Sequence, residues 1–113
     1  VNYIILDDAS DTTTAVKNAR KFVTENKVDV IVGSTITPNS LAMIDVAAEA
    51  ETPMVSMAAS ARIVDPANPK VKWVFKTPQN DVQMSTAITE HMTNAGVKNV
   101  AFIGFDDGCG EGW

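Results

Sequence analysis

Short apolar runs alternating with stretches of helical periodicity constrain this chain more than any other feature of its sequence. The runs are Val1–Leu6, Val28–Val32, Pro53–Ser56, Trp73–Phe75 and Val100–Gly104. Each has the length of a strand, and most lack the polar alternation of a half-exposed strand. Strands that alternate with helices pack as a parallel sheet covered by helices. The sequence therefore predicts an α/β fold of three layers, α-β-α, with a mainly parallel, Rossmann-like sheet.

Three helices are expected between these strands. The first begins near Thr12 with Ser10 or Asp11 as its cap, and it turns one face to the core: Ala15, Val16, Ala19, Phe22 and Val23. The second has Thr37 as its cap, Pro38 in its first turn and an apolar body over 41–50. The third ends at Gly96 and carries an apolar stripe: Met84, Ala87, Ile88, His91, Met92 and Ala95. The position of His91 on this stripe predicts that its side chain packs at the edge of the core.

Composition excludes several classes of function. The chain has 113 residues, which favours one domain, and its formal net charge is -5. A nucleic-acid or anionic-membrane surface needs clustered basic residues, and the nine here are scattered. The single cysteine, Cys109, excludes an internal disulfide and a cysteine-based zinc site. No apolar run approaches the roughly 20 residues of a membrane span.

Two hydroxyl-rich loops follow the second and third strands, at 33–38 and 56–60. Loops after parallel strands meet at one edge of a sheet, where α/β proteins bind ligands. A helix that starts near Pro38 leaves backbone N–H groups free, and with the hydroxyls of Ser34, Thr35 and Thr37 they form a candidate carboxylate site. The alternative is a tight turn in which Thr37 only caps the helix. The second loop has small residues that let a ligand approach the backbone, or it is simply a close-packed loop.

Other chemistry finds little support in the residues. Asp7-Asp8 and Asp106-Asp107 follow predicted strands and suit Mg²⁺ or phosphoryl chemistry, but solvated loops and helix caps explain them better. A receiver domain needs a further aspartate after its third strand, where this chain has Ser56. Cys109 has acidic neighbours that raise a thiol pKa, which disfavours a nucleophile. We therefore expect no catalytic residues, metal or cofactor.

Four segments together resemble the type I periplasmic binding proteins, and most of all the Leu/Ile/Val-binding group that feeds ABC transporters. They are VIVGSTITPNSLA (30–42), TPMVSMAAS (52–60), WVFKTPQND (73–81) and VAFIGFDDGCGEGW (100–113). The resemblance covers essentially the whole chain. It implies a two-lobed receptor that closes on a small ligand. Residues 1–113 correspond to part of the N-terminal lobe, without its first strand and helix and without the second lobe.

The resemblance also implies site residues. In the amino-acid binders, the loop after the Gly33-type strand gives a hydroxyl and N–H groups to the ligand carboxylate, and Thr35 and Thr37 match those positions. The next loop gives a carbonyl and a hydroxyl to the polar head of the ligand, and Ala58 and Ser60 match. Cys109 stands where the family usually has an aromatic residue that touches the ligand, which is a departure from its pattern.

The function implied is uptake of a branched-chain or other hydrophobic amino acid, or of a related aromatic or aliphatic carboxylate, by an ABC transporter. The resemblance implies a protein that is either periplasmic or extracellular and anchored to the membrane. The implied partner is the transporter permease. We expect a lone lobe to expose surfaces that favour self-association. The alternatives are a ligand-sensing domain of a receptor or regulator with the same fold and, less favoured, a receiver-like or flavodoxin-like domain.

Overall fold

Three short parallel strands form the sheet in the computed structural model, which describes residues 1–113. They are β1 (Ile31–Val32), β2 (Met54–Ser56) and β3 (Val74–Lys76), in the order β1-β2-β3. Ile31 pairs with Met54, which in turn pairs with Val74, so β2 is the central strand. The α/β class and the parallel sheet predicted from the sequence are confirmed.

Three helices accompany the sheet, and local signals fix their ends. Helix α1 spans Thr12–Lys21 and begins at Asp11, whose side chain accepts from the Thr14 N–H; a π-helical turn, Phe22–Asn26, follows it. Helix α2 spans Thr37–Glu49. Helix α3 spans Asp81–Asn94 and begins with a reciprocal capping box between Asn80 and Gln83. Short 3₁₀ turns occupy Ala61–Val64, Pro69–Trp73 and Gly110–Gly112. None of these helices is long and apolar enough to cross a membrane.

The core lies on one face of the sheet, beneath α1 and α2. Its buried apolar residues come from α1, β1, α2, the loops and the other strands: Ala15, Ala19, Ile31, Met43, Ile44, Val46, Ala47, Met54, Ala58, Ile63 and Val74. Side chains alternate across a strand. The intervening residues Val32 and Phe75 are therefore on the other face, where they are 66% and 56% exposed. Within this chain, helices cover one face of the sheet.

The first and last predicted strands are wrong in this structure. Val1–Leu6 and Val100–Gly104 adopt no regular structure, and neither makes a backbone hydrogen bond to a strand. A strand exists only with a hydrogen-bonding neighbour, and neither segment pairs with β1 or β3. Most of their apolar side chains, which are typical of buried strands, are instead exposed to solvent. The exposed fractions of Ile5 and Ile103, for example, are 89% and 97%.

Helix α3 has its predicted position, but its apolar stripe is not a core face. Of its residues only Asp81 is buried, while Met84 and Met92 are half-buried and Ile88 is 42% exposed. His91 is exposed, so the prediction of a histidine packed at the core edge is wrong. Periodicity identifies the helix correctly, but it does not establish which neighbour covers the stripe. Gly96 has a φ of +71° and ends the helix as predicted, because glycine adopts this left-handed conformation without strain.

Candidate functional site

The two hydroxyl-rich loops lie together at the carboxyl edge of the sheet and are bonded to each other. The Ser34 carbonyl accepts from the Met57 N–H at 3.1 Å and from the Ser40 hydroxyl at 3.0 Å. The hydroxyls of Ser40 and Ser56 are 2.7 Å apart, and both residues are fully buried. The Ser56 oxygen also accepts from the Ala58 N–H at 3.1 Å. These bonds join the two loops into one wall at the edge of the sheet.

Helix α2 begins at this wall, one residue earlier than the sequence suggests. Ile36 is the N-cap, with an extended backbone, and Thr37 is the first helical residue, so the prediction that Thr37 caps the helix is wrong. The Ile36 N–H is satisfied by the Ser34 hydroxyl at 3.2 Å. The Ser40 N–H makes the first intrahelical bond, to the Ile36 carbonyl at 3.0 Å, so the Thr37 and Asn39 N–H groups precede the helical ladder.

The side chains at the start of α2 differ in exposure. Thr37 is 2% exposed, whereas Thr35 is exposed to solvent on the loop before it. The structure therefore places Thr37 in the first turn of α2 and leaves Thr35 exposed on the loop. The positive end of the helix dipole and the unpaired N–H groups make this end of α2 favourable for a negatively charged group.

Asn39 anchors the same turn through a polar network that reaches α1. It is fully buried; its amide donates to Asp8 Oδ2 at 2.8 Å and its carbonyl accepts from the Thr12 hydroxyl at 2.9 Å. Asp8 Oδ2 also accepts from Ser34 Oγ at 3.3 Å. The hydrogen bond from Asn39 is the main cause that lowers the pKa of Asp8, with burial acting in the opposite direction. Asp8 therefore holds the first loop as a carboxylate.

The second loop is held by a buried acid at the start of α3. Asp81 is 4% exposed, and its Oδ1 accepts from the Ala61 N–H at 3.0 Å. The Asp81 N–H donates to the Ala59 carbonyl at 3.1 Å, so Asp81 is hydrogen-bonded to the loop on both sides of Ser60. Ala58 and Ser60 are 2% and 1% exposed, and the Ser60 oxygen accepts from the Arg62 N–H at 3.3 Å.

The C-terminal loop lies over the same edge. Asp107 Oδ1 accepts from the N–H groups of Cys109 and Gly110 at 2.8 and 3.1 Å, so this acid caps its own loop, as the sequence suggests. A Cβ added at Gly108 would lie 3.7 Å from Thr37 Cγ2, which places this loop beside the start of α2. Cys109 is a free, half-buried thiol on that loop. The structure thus gathers the Thr37, Ser60 and Cys109 loops at one edge.

No cluster of three or more His, Cys, Asp or Glu side chains in this chain is placed to hold a metal ion. Surface concavities also occur along α3. One, of about 600 Å³, lies between α3 and the C-terminal segment and includes Ile88, Phe102 and Cys109 in its lining. The other, of about 540 Å³, follows the exposed hydroxyl face of α3. Both are shallow surface features, whereas the loop edge combines buried hydroxyls with free N–H groups.

The sequence identifies both loops of this edge but not three residues that support them, Asn39, Ser40 and Asp81. Their available signal is polarity at positions that should be apolar: Asn39 and Ser40 open a helix that is otherwise apolar on most faces. Asp81, one residue after the natural cap Asn80, carries a weaker signal of the same kind. Buried polar groups require hydrogen-bond partners, so such positions indicate a network rather than plain packing.

A parallel α/β sheet with two joined loops and a helix start at its carboxyl edge is the arrangement at which α/β proteins commonly bind ligands. The family model described as "Periplasmic binding protein" matches residues 1–112. The chain belongs to this family, of type I, as the resemblance in the sequence implies. No curated protein sequence matches the chain.

Solved structures support the same assignment. An extracellular ligand-binding receptor from Rhodopseudomonas palustris HaA2 is 50% identical with a TM-score of 0.94, over 98% of this chain and 31% of the receptor. A solute-binding protein of an ABC transporter from R. palustris, in complex with 4-hydroxybenzoate, is 26% identical with a TM-score of 0.86, over 96% of this chain and 29% of that one.

An ABC transporter substrate-binding protein from Desulfitobacterium hafniense, in complex with Leu, shares the fold. It has a TM-score of 0.82 at 18% identity, over 98% of this chain and 32% of that one. The chain therefore spans about a third of the length of these relatives.

Proposed function

We propose that residues 1–113 form part of the N-terminal lobe of a two-lobed ABC-transporter substrate-binding protein that takes up a small carboxylate. The single observation that carries this proposal is the start of α2 beside the joined loops, where the Thr37 and Asn39 N–H groups precede the helical ladder. Such an end favours an anion, and the neighbouring wall is lined by hydroxyls and backbone groups. Groups of this kind hold a ligand without reacting with it.

The proposed ligand class rests on the same site. A hydrophobic amino acid and an aromatic acid share a carboxylate and an apolar body, and the loop edge offers partners to the carboxylate. The relative that binds 4-hydroxybenzoate, at 26% identity, favours an aromatic carboxylate, and the fold-level relative in complex with Leu keeps the amino acid in the comparison. In the proposal, Thr37 contacts the carboxylate and Ala58 and Ser60 contact the polar head, with Thr35 and Cys109 at the rim.

The proposed setting is the periplasm or the outer face of the membrane, with delivery of the ligand to a transporter permease. Binding pockets usually enclose most of the surface of a ligand, and this edge provides one wall. A second lobe supplies the other wall in the proposal. The alternative function is that of a ligand-sensing domain of a receptor, which would use the same site. Transport of the bound compound by the cognate permease distinguishes uptake from sensing.

Calorimetry of the complete protein that contains this chain tests the proposal. The panel is leucine, isoleucine, valine, benzoate, 4-hydroxybenzoate and 3,4-dihydroxybenzoate. We expect at least one to bind below millimolar concentration and Thr37→Val to weaken it by about tenfold, the scale of one hydrogen bond to a charged group. Thr93→Val, on an exposed face of α3, is the matched control. Absence of binding across the panel, or equal affinity in both variants, contradicts the proposal.

A further inference from the structure

Arg62 carries the only positively charged side chain on the segments that border the candidate site. The site is bordered by the loops 33–38 and 56–60, by the turn Ala61–Val64 and by the C-terminal segment 106–113, and Arg62 is the one lysine or arginine within them. The chain as a whole has a formal net charge of -5, and Asp106, Asp107 and Glu111 lie in the third segment. An anionic ligand therefore approaches a predominantly negative surface, and a local cation is needed to offset it.

The guanidinium extends from the second loop toward the start of α2. Arg62 follows the Ser60 cap in the turn Ala61–Val64, and its Nη1 is 3.4 Å from Glu111 Oε2 on the C-terminal segment. A Cβ added at Gly108 would lie 4.0 Å from Arg62 Nη1 and 3.7 Å from Thr37 Cγ2. The guanidinium and Thr37 thus border the same small region.

The pair with Glu111 leaves this guanidinium available. It is one long contact between side chains that are 61% and 66% exposed, and it uses one of the five N–H donors. Exposed pairs of this kind add little stability, because solvent screens them and two flexible side chains must be ordered. A ligand carboxylate that reaches the start of α2 can take two parallel hydrogen bonds from the planar guanidinium, which is the geometry arginine favours.

We propose that Arg62 is a specificity-determining residue that selects the carboxylate of the ligand, releasing Glu111 as it does so. This inference rests on the function proposed above and deepens it: the preferred ligands are carboxylates, discriminated from uncharged isosteres of the same shape. Glu111 pairs with the guanidinium in the absence of ligand, and it competes with the ligand carboxylate for that guanidinium. Arg62 and Glu111 therefore act on ligand affinity in opposite directions.

The test compares each carboxylate with its own carboxamide in the complete protein that contains this chain. The probes are 4-hydroxybenzoate against 4-hydroxybenzamide, and leucine against leucinamide, measured by calorimetry. Arg62→Met should weaken the carboxylate that binds by about tenfold or more while changing its carboxamide by less than twofold. Glu111→Gln should strengthen the same carboxylate by about two- to fivefold, and raising the salt concentration should reduce both effects.

Arg20→Met is the matched control, since Arg20 makes a similar exposed pair with Glu49 at 3.6 Å near the C-terminal ends of α1 and α2. It should leave every affinity unchanged. Equal affinities of the wild type and Arg62→Met for the carboxylate overturn the assignment of Arg62 and leave the proposed function intact. The same follows if the carboxylate and carboxamide weaken together, because that indicates distortion of the loop. No binding of either carboxylate to the wild type overturns both.

Discussion

Asn39→Asp tests the polar network beneath the first loop most directly. The change keeps the size and shape of the side chain and replaces the amide that donates to Asp8 Oδ2 at 2.8 Å by a carboxyl group. Two carboxylates at hydrogen-bonding distance do not both stay ionised, so one of them retains a proton. The variant is thus forced to bind a proton that the unfolded chain does not bind at neutral pH.

The size of the effect follows from that proton. Keeping a carboxyl with an ordinary pKa near 4 protonated at pH 7 costs about 4 kcal/mol, at 1.36 kcal/mol per pH unit. Asp8 is partly exposed, so solvent screening lowers the expected destabilisation to about 3 kcal/mol. Near pH 4 the penalty falls to about 1 kcal/mol, because the proton is then bound in the unfolded chain as well.

Urea unfolding between pH 4 and 8, followed by circular dichroism, measures this difference. In the wild type the Asp8 pKa is lowered, so its stabilisation is complete above the ordinary carboxyl pKa and is lost as the pH falls through the folded value. The variant should show the opposite trend relative to the wild type and recover stability toward pH 4. Asn68→Asp, which keeps the acceptor for the Lys70 N–H, is the control and should change stability by less than about 0.5 kcal/mol. Equal pH dependence in both variants refutes the Asp8–Asn39 bond.

Three further changes test the core and the loops, each read from urea or thermal unfolding. Ile63→Ala, at a fully buried position, should cost about 2–4 kcal/mol, whereas Ile103→Ala, at 97% exposure, should cost less than about 0.5; similar values would contradict the burial described. Ser56→Ala removes a buried hydroxyl bond and should cost about 1–2 kcal/mol, and no loss would mean that the loops are not joined through it. Gly112→Ala places a Cβ against the Asp81 carboxylate and should cost about 1–3 kcal/mol of stability. An unchanged stability would mean that Gly112 and Asp81 are not in contact.

The sequence predicts the elements of this fold better than their surroundings. Asp11 as a cap, the buried face of α1 and the stop at Gly96 are local signals, and each is confirmed. Whether an apolar segment is buried depends on a neighbour that periodicity does not name. For that reason Val100–Gly104 reads as a strand but lies exposed, and α3 reads as a core helix but presents its stripe to solvent.

The candidate site shows the same division. Hydroxyl-rich loops after parallel strands are visible in the sequence, and the structure brings Thr37, Ser60 and the Cys109 loop to one edge. The contacts that hold them come from residues distant along the chain. Asp8 reaches Asn39 across 31 positions, and Arg62 reaches Glu111 across 49. Pairings of this kind depend on the tertiary fold, and no local pattern specifies them.

The hydrogen bonds that join the two loops divide the nearby residues into two groups that differ in their tolerance to substitution. Ser34, Ser40 and Ser56 use their polar atoms on one another, so substitution there disturbs the frame itself. Thr35 and Met57 alternate with them and face outward, so they can be exchanged without moving the backbone. Under the proposed function, a scaffold of this kind lets ligand preference diverge through a few outward side chains while the inward hydroxyls stay fixed. Exchanges confined to Thr35 and Met57 are therefore a suitable starting point for redesigning the proposed site.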